Sequence, residues 1–147
     1  MLHRMLALSV TGLVVLAGCS AAPQDKGAAR VRTPEAATGR VWQWEATVTP
    51  VEKIDVPAPQ RYTLELQPGG VALVLADCNR GRASYEIGEG RIKFGPMATT
   101  RMACPPGSLD SRYLKDLQQA TIFFVEGARL FLDLPLDSGT MRFAPGK

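Results

Sequence analysis

The sequence has a single histidine, His3, and it falls in an N-terminal segment with the marks of a cleaved leader. A mature chain without histidine loses the commonest general base and the commonest metal ligand. Cysteine is scarce as well: there are 3, at Cys19, Cys78 and Cys104, with no CxxC spacing that would indicate zinc or dithiol redox chemistry. No GxSxG elbow is present, and Ser84, Ser108, Ser111 and Ser138 lie in turn, strand or cap contexts. The net charge of +3, from 17 basic and 14 acidic residues, is too mild to imply nucleic acid as a partner. What is present is ordinary globular material. The 147 residues, 46% of them hydrophobic, suffice for one domain and exclude a disordered or collagen-like chain.

The apolar stretch at residues 5–16 follows a short basic start, His3 and Arg4. About 12 residues are too few to span a bilayer, which takes about 20, and suit a secretory leader. The stretch ends in Leu16-Ala17-Gly18-Cys19, which resembles a bacterial lipobox. That resemblance implies a leader over residues 1–18, cleavage before Cys19, and a diacylglyceryl group and a fatty acyl chain such as palmitate on that cysteine. Two or more chains anchor durably, at about 0.8 kcal/mol per buried methylene. Ser20 stands where an aspartate is associated with inner-membrane retention, so the expected address is the periplasmic face of the outer membrane.

Residues 19–40 are expected to be a lipidated, flexible tether. They contain no aromatic residue and one large aliphatic, Val31, too little to offset the entropy of ordering. From Val41 onward the chain carries twelve basic and twelve acidic residues, so the domain at 41–147 is electrically neutral.

Within that domain, alternation of period two dominates. Trp42, Trp44, Ala46 and Val48 share one face of a strand, and Tyr62, Leu64 and Leu66 another. Turn residues at 67–70, 88–90 and 126–128 mark hairpins joining strands around 62–66 and 71–76, 83–87 and 91–94, and 121–125 and 129–134, with a last strand at 140–143. One helix interrupts the rhythm: Ser108 can cap it, and Leu109, Tyr113, Leu114, Leu117 and Ala120 recur at helical spacing. The expected fold is mainly β (α+β): a curled or partly closed antiparallel sheet of about seven strands with one covering helix.

With Cys19 lipidated, Cys78 and Cys104 form an even pair in an oxidising compartment. A disulfide would close a loop of about 26 residues, worth roughly 3.5 kcal/mol in the chain-entropy account. Two buried thiols are the alternative. A metal site is disfavoured by the lack of histidine.

The motifs Cys78-Asn79, Ser84-Tyr85, Phe94-Gly95 and Thr100-Arg101-Met102-Ala103-Cys104 resemble those of the META domain family, known in bacteria from HslJ-like heat-shock lipoproteins. Tyr113-Leu114, Leu117, Leu130, Leu132 and Met141-Arg142-Phe143 extend the likeness over about residues 41–145. Asp77, the Arg80-Gly81-Arg82 turn and Asp110 depart from the family pattern. The resemblance implies a compact β domain with a helix, found in the envelope, and no reaction or cofactor.

The expected function is therefore non-enzymatic: a monomeric lipoprotein, held to the membrane through Cys19, that binds an envelope protein or an anionic lipid, or supports envelope integrity under stress. A carrier of lipid or another hydrophobic ligand is the second reading, and a cell-wall hydrolase or an inhibitor of one the third. No catalytic or metal-binding residue is expected. The distinctive polar set is Asn79, Arg80, Arg82, Tyr85, Arg91, Lys93 and Arg101. If the two cysteines bond, Asn79, Arg80 and Arg101 come together as a candidate site for an anion or partner. The framework alternative has Asn79 satisfying backbone groups in a turn, and Arg101 pairing with Asp77 or covering apolar surface with its stem.

Overall fold

A computed structural model describes residues 28–147. The expected leader, the lipidation of Cys19 and the first part of the tether lie outside the described residues. Order begins earlier than the expected boundary at Val41. Strand β1 (Arg30–Val31) and the single helical turn α1 (Pro34–Ala37) fall within the expected tether. Pro34 opens that turn, Glu35 suits its positive end, and Ala37 is wholly buried. Small residues such as Ala37 carry no periodic signal, yet they fill space that nothing larger could enter.

Strand β2 (Val41–Val48) is followed by β3 (Lys53–Asp55), a 3₁₀ turn at Pro59–Arg61 and β4 (Tyr62–Gln67). Then come β5 (Val71–Ala76), β6 (Asn79–Gly88), β7 (Arg91–Phe94) and β8 (Ala98–Thr99). Helix α2 (Asp110–Gln119) precedes β9 (Ile122–Glu126), β10 (Arg129–Asp133) and β11 (Thr140–Pro145). Every pairing is antiparallel, in the order β9-β10-β11-β2-β4-β5-β6-β7, and β7 returns to β9 where Arg91 faces Ile122. The barrel is thus closed, with eight strands. β1 extends β9, β3 pairs with β2, and β8 pairs with β6.

This corrects the expected curled sheet of about seven strands. Closure depends on one meeting, between residues 91 and 122, and no local pattern encodes a contact of that range. β6 also starts earlier than expected, because Asn79, Arg80, Gly81 and Arg82 hide its alternation. The extra strands have two or three residues each, too short to show a period.

The interior is filled by side chains. Trp42, Trp44, Leu64, Leu66, Phe123, Leu130, Leu132, Met141 and Phe143 are fully buried, and α2 adds Tyr113 and Leu117. Tyr113 stacks on Trp44 with ring centroids 5.0 Å apart. One expected core residue points outward. A bulge sets Arg142 opposite Ala46 and Phe143 opposite Trp44, leaving Glu45 as the extra residue. Thr47 then turns inward, its hydroxyl accepting the Trp44 indole N–H at 3.1 Å, and Val48 is 45% exposed. At α2, Leu109 rather than Ser108 holds the cap position, and the Ser108 hydroxyl accepts the N–H of Asp110 at 3.3 Å.

Because successive strands run up and down, the barrel has two distinct ends. The turns at 68–70, 89–90 and 127–128 lie at one end, where α1 also leads into β2. The turn at Asp77-Cys78, β8 and the start of α2 lie at the other.

Candidate functional site

At that second end, β5 passes into β6 through a two-residue turn, Ala76 pairing with Asn79. Asp77 adopts φ 59°, left-handed backbone that aspartate tolerates better than most residues. Its N–H donates to the Arg61 carbonyl at 2.7 Å, and its buried carboxylate forms an ion pair with the Arg61 guanidinium. The expected alternative partner, Arg101, is not involved. Cys78 and Cys104 form a disulfide with Cα atoms 5.5 Å apart.

Asn79 sits beside it, 4% exposed and saturated with bonds. Its Oδ1 accepts the Met102 N–H at 2.8 Å and the Thr100 hydroxyl at 3.0 Å. Its Nδ2 lies within 3.2–3.3 Å of the Met102 carbonyl, Cys104 Sγ and the Asp110 carboxylate. Asn79 therefore ties the 100–104 loop to α2 from inside. Its polar atoms are thereby taken up inside the fold.

Strand alternation explains how the polar set divides. In β6, Asn79, Ala83 and Tyr85 point inward, while Arg80, Arg82, Ser84 and Glu86 point outward. The Tyr85 hydroxyl donates to the Gln67 carbonyl at 2.8 Å, and burial raises its pKa. Arg80 and the loop are knitted together at the backbone: Thr100 N–H donates to the Arg80 carbonyl, and Arg80 N–H to the Thr100 hydroxyl, each at 3.0 Å. This brings Arg101 alongside β6. Arg80, Arg82 and Arg101 are all exposed.

Charge pairing sets these arginines apart. Arg129 and Arg142 flank Glu45 at 3.1 and 3.2 Å. Arg112 bonds Asp116 at 2.8 Å and Glu52 at 3.2 Å, and the hydrogen bond to buried Asp116 leads the rise in its pKa. Among the described residues, no ion pair engages Arg80, Arg82, Arg91, Lys93 or Arg101.

Two participants escaped the sequence reading. Leu73 and Leu75 point out of the barrel, half-buried, directly opposite Arg82 and Arg80. The signal was there: residues 71–76 are apolar on both faces, which in an antiparallel strand marks a covered outer surface. The register sets the stems of Arg82 and Arg80 next to Leu73 and Leu75, where arginine methylenes can cover apolar surface. Among the described residues no cluster of three metal-ligating side chains exists.

A family model of the META domain matches residues 36–145. The chain belongs to the META domain family. The match begins within α1, ahead of Val41, in keeping with the burial of Ala37. This META domain is also similar in fold to solved structures. One is the NMR structure of a protein from Burkholderia xenovorans, with 23% identity, a TM-score of 0.65, and coverage of 92% of this chain and 99% of that one. A second NMR structure of a protein has 16% identity and a TM-score of 0.60 over 76% of this chain and 93% of the other. The crystal structure of a DUF4847 family protein from Bacteroides vulgatus has 9% identity and a TM-score of 0.56, over 75% and 94%. Among curated proteins none matches the chain.

Proposed function

We propose that this META domain is a non-enzymatic binding module of the bacterial envelope, tethered through a lipidated Cys19 and directed to the periplasmic face of the outer membrane. The observation that carries the reading is the trio Arg80, Arg82 and Arg101. These exposed arginines lack acidic partners in a domain whose other arginines are mostly paired. An unpaired guanidinium presents a fork of donors suited to carboxylate or phosphate, so the partner is anionic. Leu73 and Leu75 add an apolar strip beside the charges, the combination that gives a contact both steering and grip.

The carrier reading finds less support. Trp42, Trp44, Tyr113 and Phe143 fill the interior that a hydrophobic ligand would need. The hydrolase reading likewise gains no support from Glu45, Asp77 and Asp116, each of which is held by an arginine.

A photoreactive residue at Ala98, exposed on β8 opposite Arg82, tests the proposal in intact envelopes. The expected result is a discrete adduct that disappears in the Arg80→Ala, Arg82→Ala, Arg101→Ala triple variant while its melting temperature stays near native. Mass spectrometry of the adduct separates a protein carboxylate from a lipid phosphate. No discrete adduct, or one that survives charge removal, would overturn the reading.

A further inference from the structure

β7 has four residues, and its outer edge is only partly used. Its register with β6 sets Gly88 opposite Arg91 across the turn and Glu86 opposite Lys93, and the Gly95 N–H donates to the Ser84 carbonyl at 2.9 Å. Hydrogen-bonded residues alternate in an antiparallel pair, so Ile92 and Phe94 direct their backbone groups away from β6. The Ile92 N–H meets the Thr121 carbonyl at 3.1 Å, where β7 touches β9. Among the described residues no such backbone bond reaches Phe94, because β9 starts at Ile122 and the chain before it turns off into α2.

The divergence opens a groove of about 590 Å³, within the ~300–1,000 Å³ typical of ligand sites. Ile87, Ile92, Phe94 and Ala120 line its inner side, with Gln118 and Gln119 on the helix wall. Arg91 and Lys93 stand exposed on its outer rim without ion-pair partners, outnumbering the one acid there, Glu86.

We infer that this groove binds an extended polypeptide segment of alternating apolar and acidic residues, which adds a strand along the Phe94 edge of β7. The backbone groups of Phe94 are an unfinished ladder, and a strand is the ligand that completes one. Period two then decides the side chains. Alternate residues of the guest face Ile92, Phe94 and Ala120, and those between them face Arg91 and Lys93, where carboxylates are favoured. A second copy of β7 is the wrong guest, since it would bring Arg91 and Lys93 against their own kind. The chain's own β1 is already engaged elsewhere, on β9 at Val125 and Glu126. The groove uses neither Arg80 nor Arg101, so it stands or falls apart from the function proposed above.

The probe is a capped pentapeptide alternating valine and glutamate, titrated into the isotope-labelled full-length protein at low salt and followed by NMR. Amide shifts are expected at Phe94, Gln119 and Ala120. N-methylation of alternate peptide amides should weaken binding by about tenfold or more, by removing the ladder donors. The R91E/K93E variant should lose the acidic peptide and gain its lysine counterpart. Three results would each overturn the inference: no shifts at these residues at about 1 mM peptide, equal binding of the N-methylated peptide, or indifference to the charge reversal.

Discussion

The side-chain carbonyl of Asn79 accepts the backbone N–H of Met102 at 2.8 Å, joining the start of β6 to a loop 23 residues away. With the bond from Thr100, it makes one amide side chain the anchor of the whole disulfide-bearing loop. Asn79→Ala leaves these donors unmatched and is expected to lower stability by about 2–3 kcal/mol, a fall in melting temperature of roughly 10 °C or more. Asn79→Asp should be worse at neutral pH, since its carboxylate would face Asp110. Thermal melts decide it, and unchanged melting in both variants would refute the anchoring role.

The bond between Cys78 and Cys104 closes a loop with a sequence separation of 26. Replacing both with serine, or reducing the native protein, should cost up to about 3.5 kcal/mol. Chemical denaturation with and without reductant measures it. A native sample extracted without reductant should show no alkylatable thiol.

Tyr113 is fully buried, and desolvation pushes its pKa well above the ordinary 10.0. A raised folded-state pKa favours the neutral phenol, so this contribution is complete below pH 10 and is lost as pH climbs beyond it. Its hydroxyl meets no protein hydrogen-bond partner. Tyr113→Phe should therefore be neutral to within about 1 kcal/mol at pH 7, and should resist alkali better than the parent. Denaturation curves at pH 7 and above pH 10 give both numbers; equal alkaline losses in the two proteins would count against it.

Cys19→Ala should either release the protein from membrane fractions or leave it unprocessed with its leader attached. Fractionation with intact-mass measurement distinguishes these outcomes. A variant still cleaved and still membrane-bound to the same extent would disprove lipidation at that residue.

Much of the barrel was legible along the chain. Tyr62, Leu64 and Leu66 alternate in sequence and point inward in space, and α2 lies where its apolar spacing put it. What escaped was whatever depends on partners far away in sequence. The Glu45 bulge that turns Val48 outward is set by β11. The burial of Ala37 comes from α1 packing against β9, at the other end of the domain sequence. The candidate site was half legible for the same reason. Its residue types were evident, but which of them faced solvent followed from β6 beginning at Asn79, and polar residues conceal that start.

The seam has a kinetic consequence. Hairpins such as β4–β5 and β9–β10 join neighbours in the chain and can form early. The β1–β9 register instead joins Arg30 to Glu126, a separation of 96 residues, and closing so long a loop costs roughly 4 kcal/mol of chain entropy. Only a two-residue strand and the single β7–β9 meeting repay that cost locally. β1 should therefore dock onto β9 last and come away first, so that its amides exchange with solvent well before those of β4 and β5.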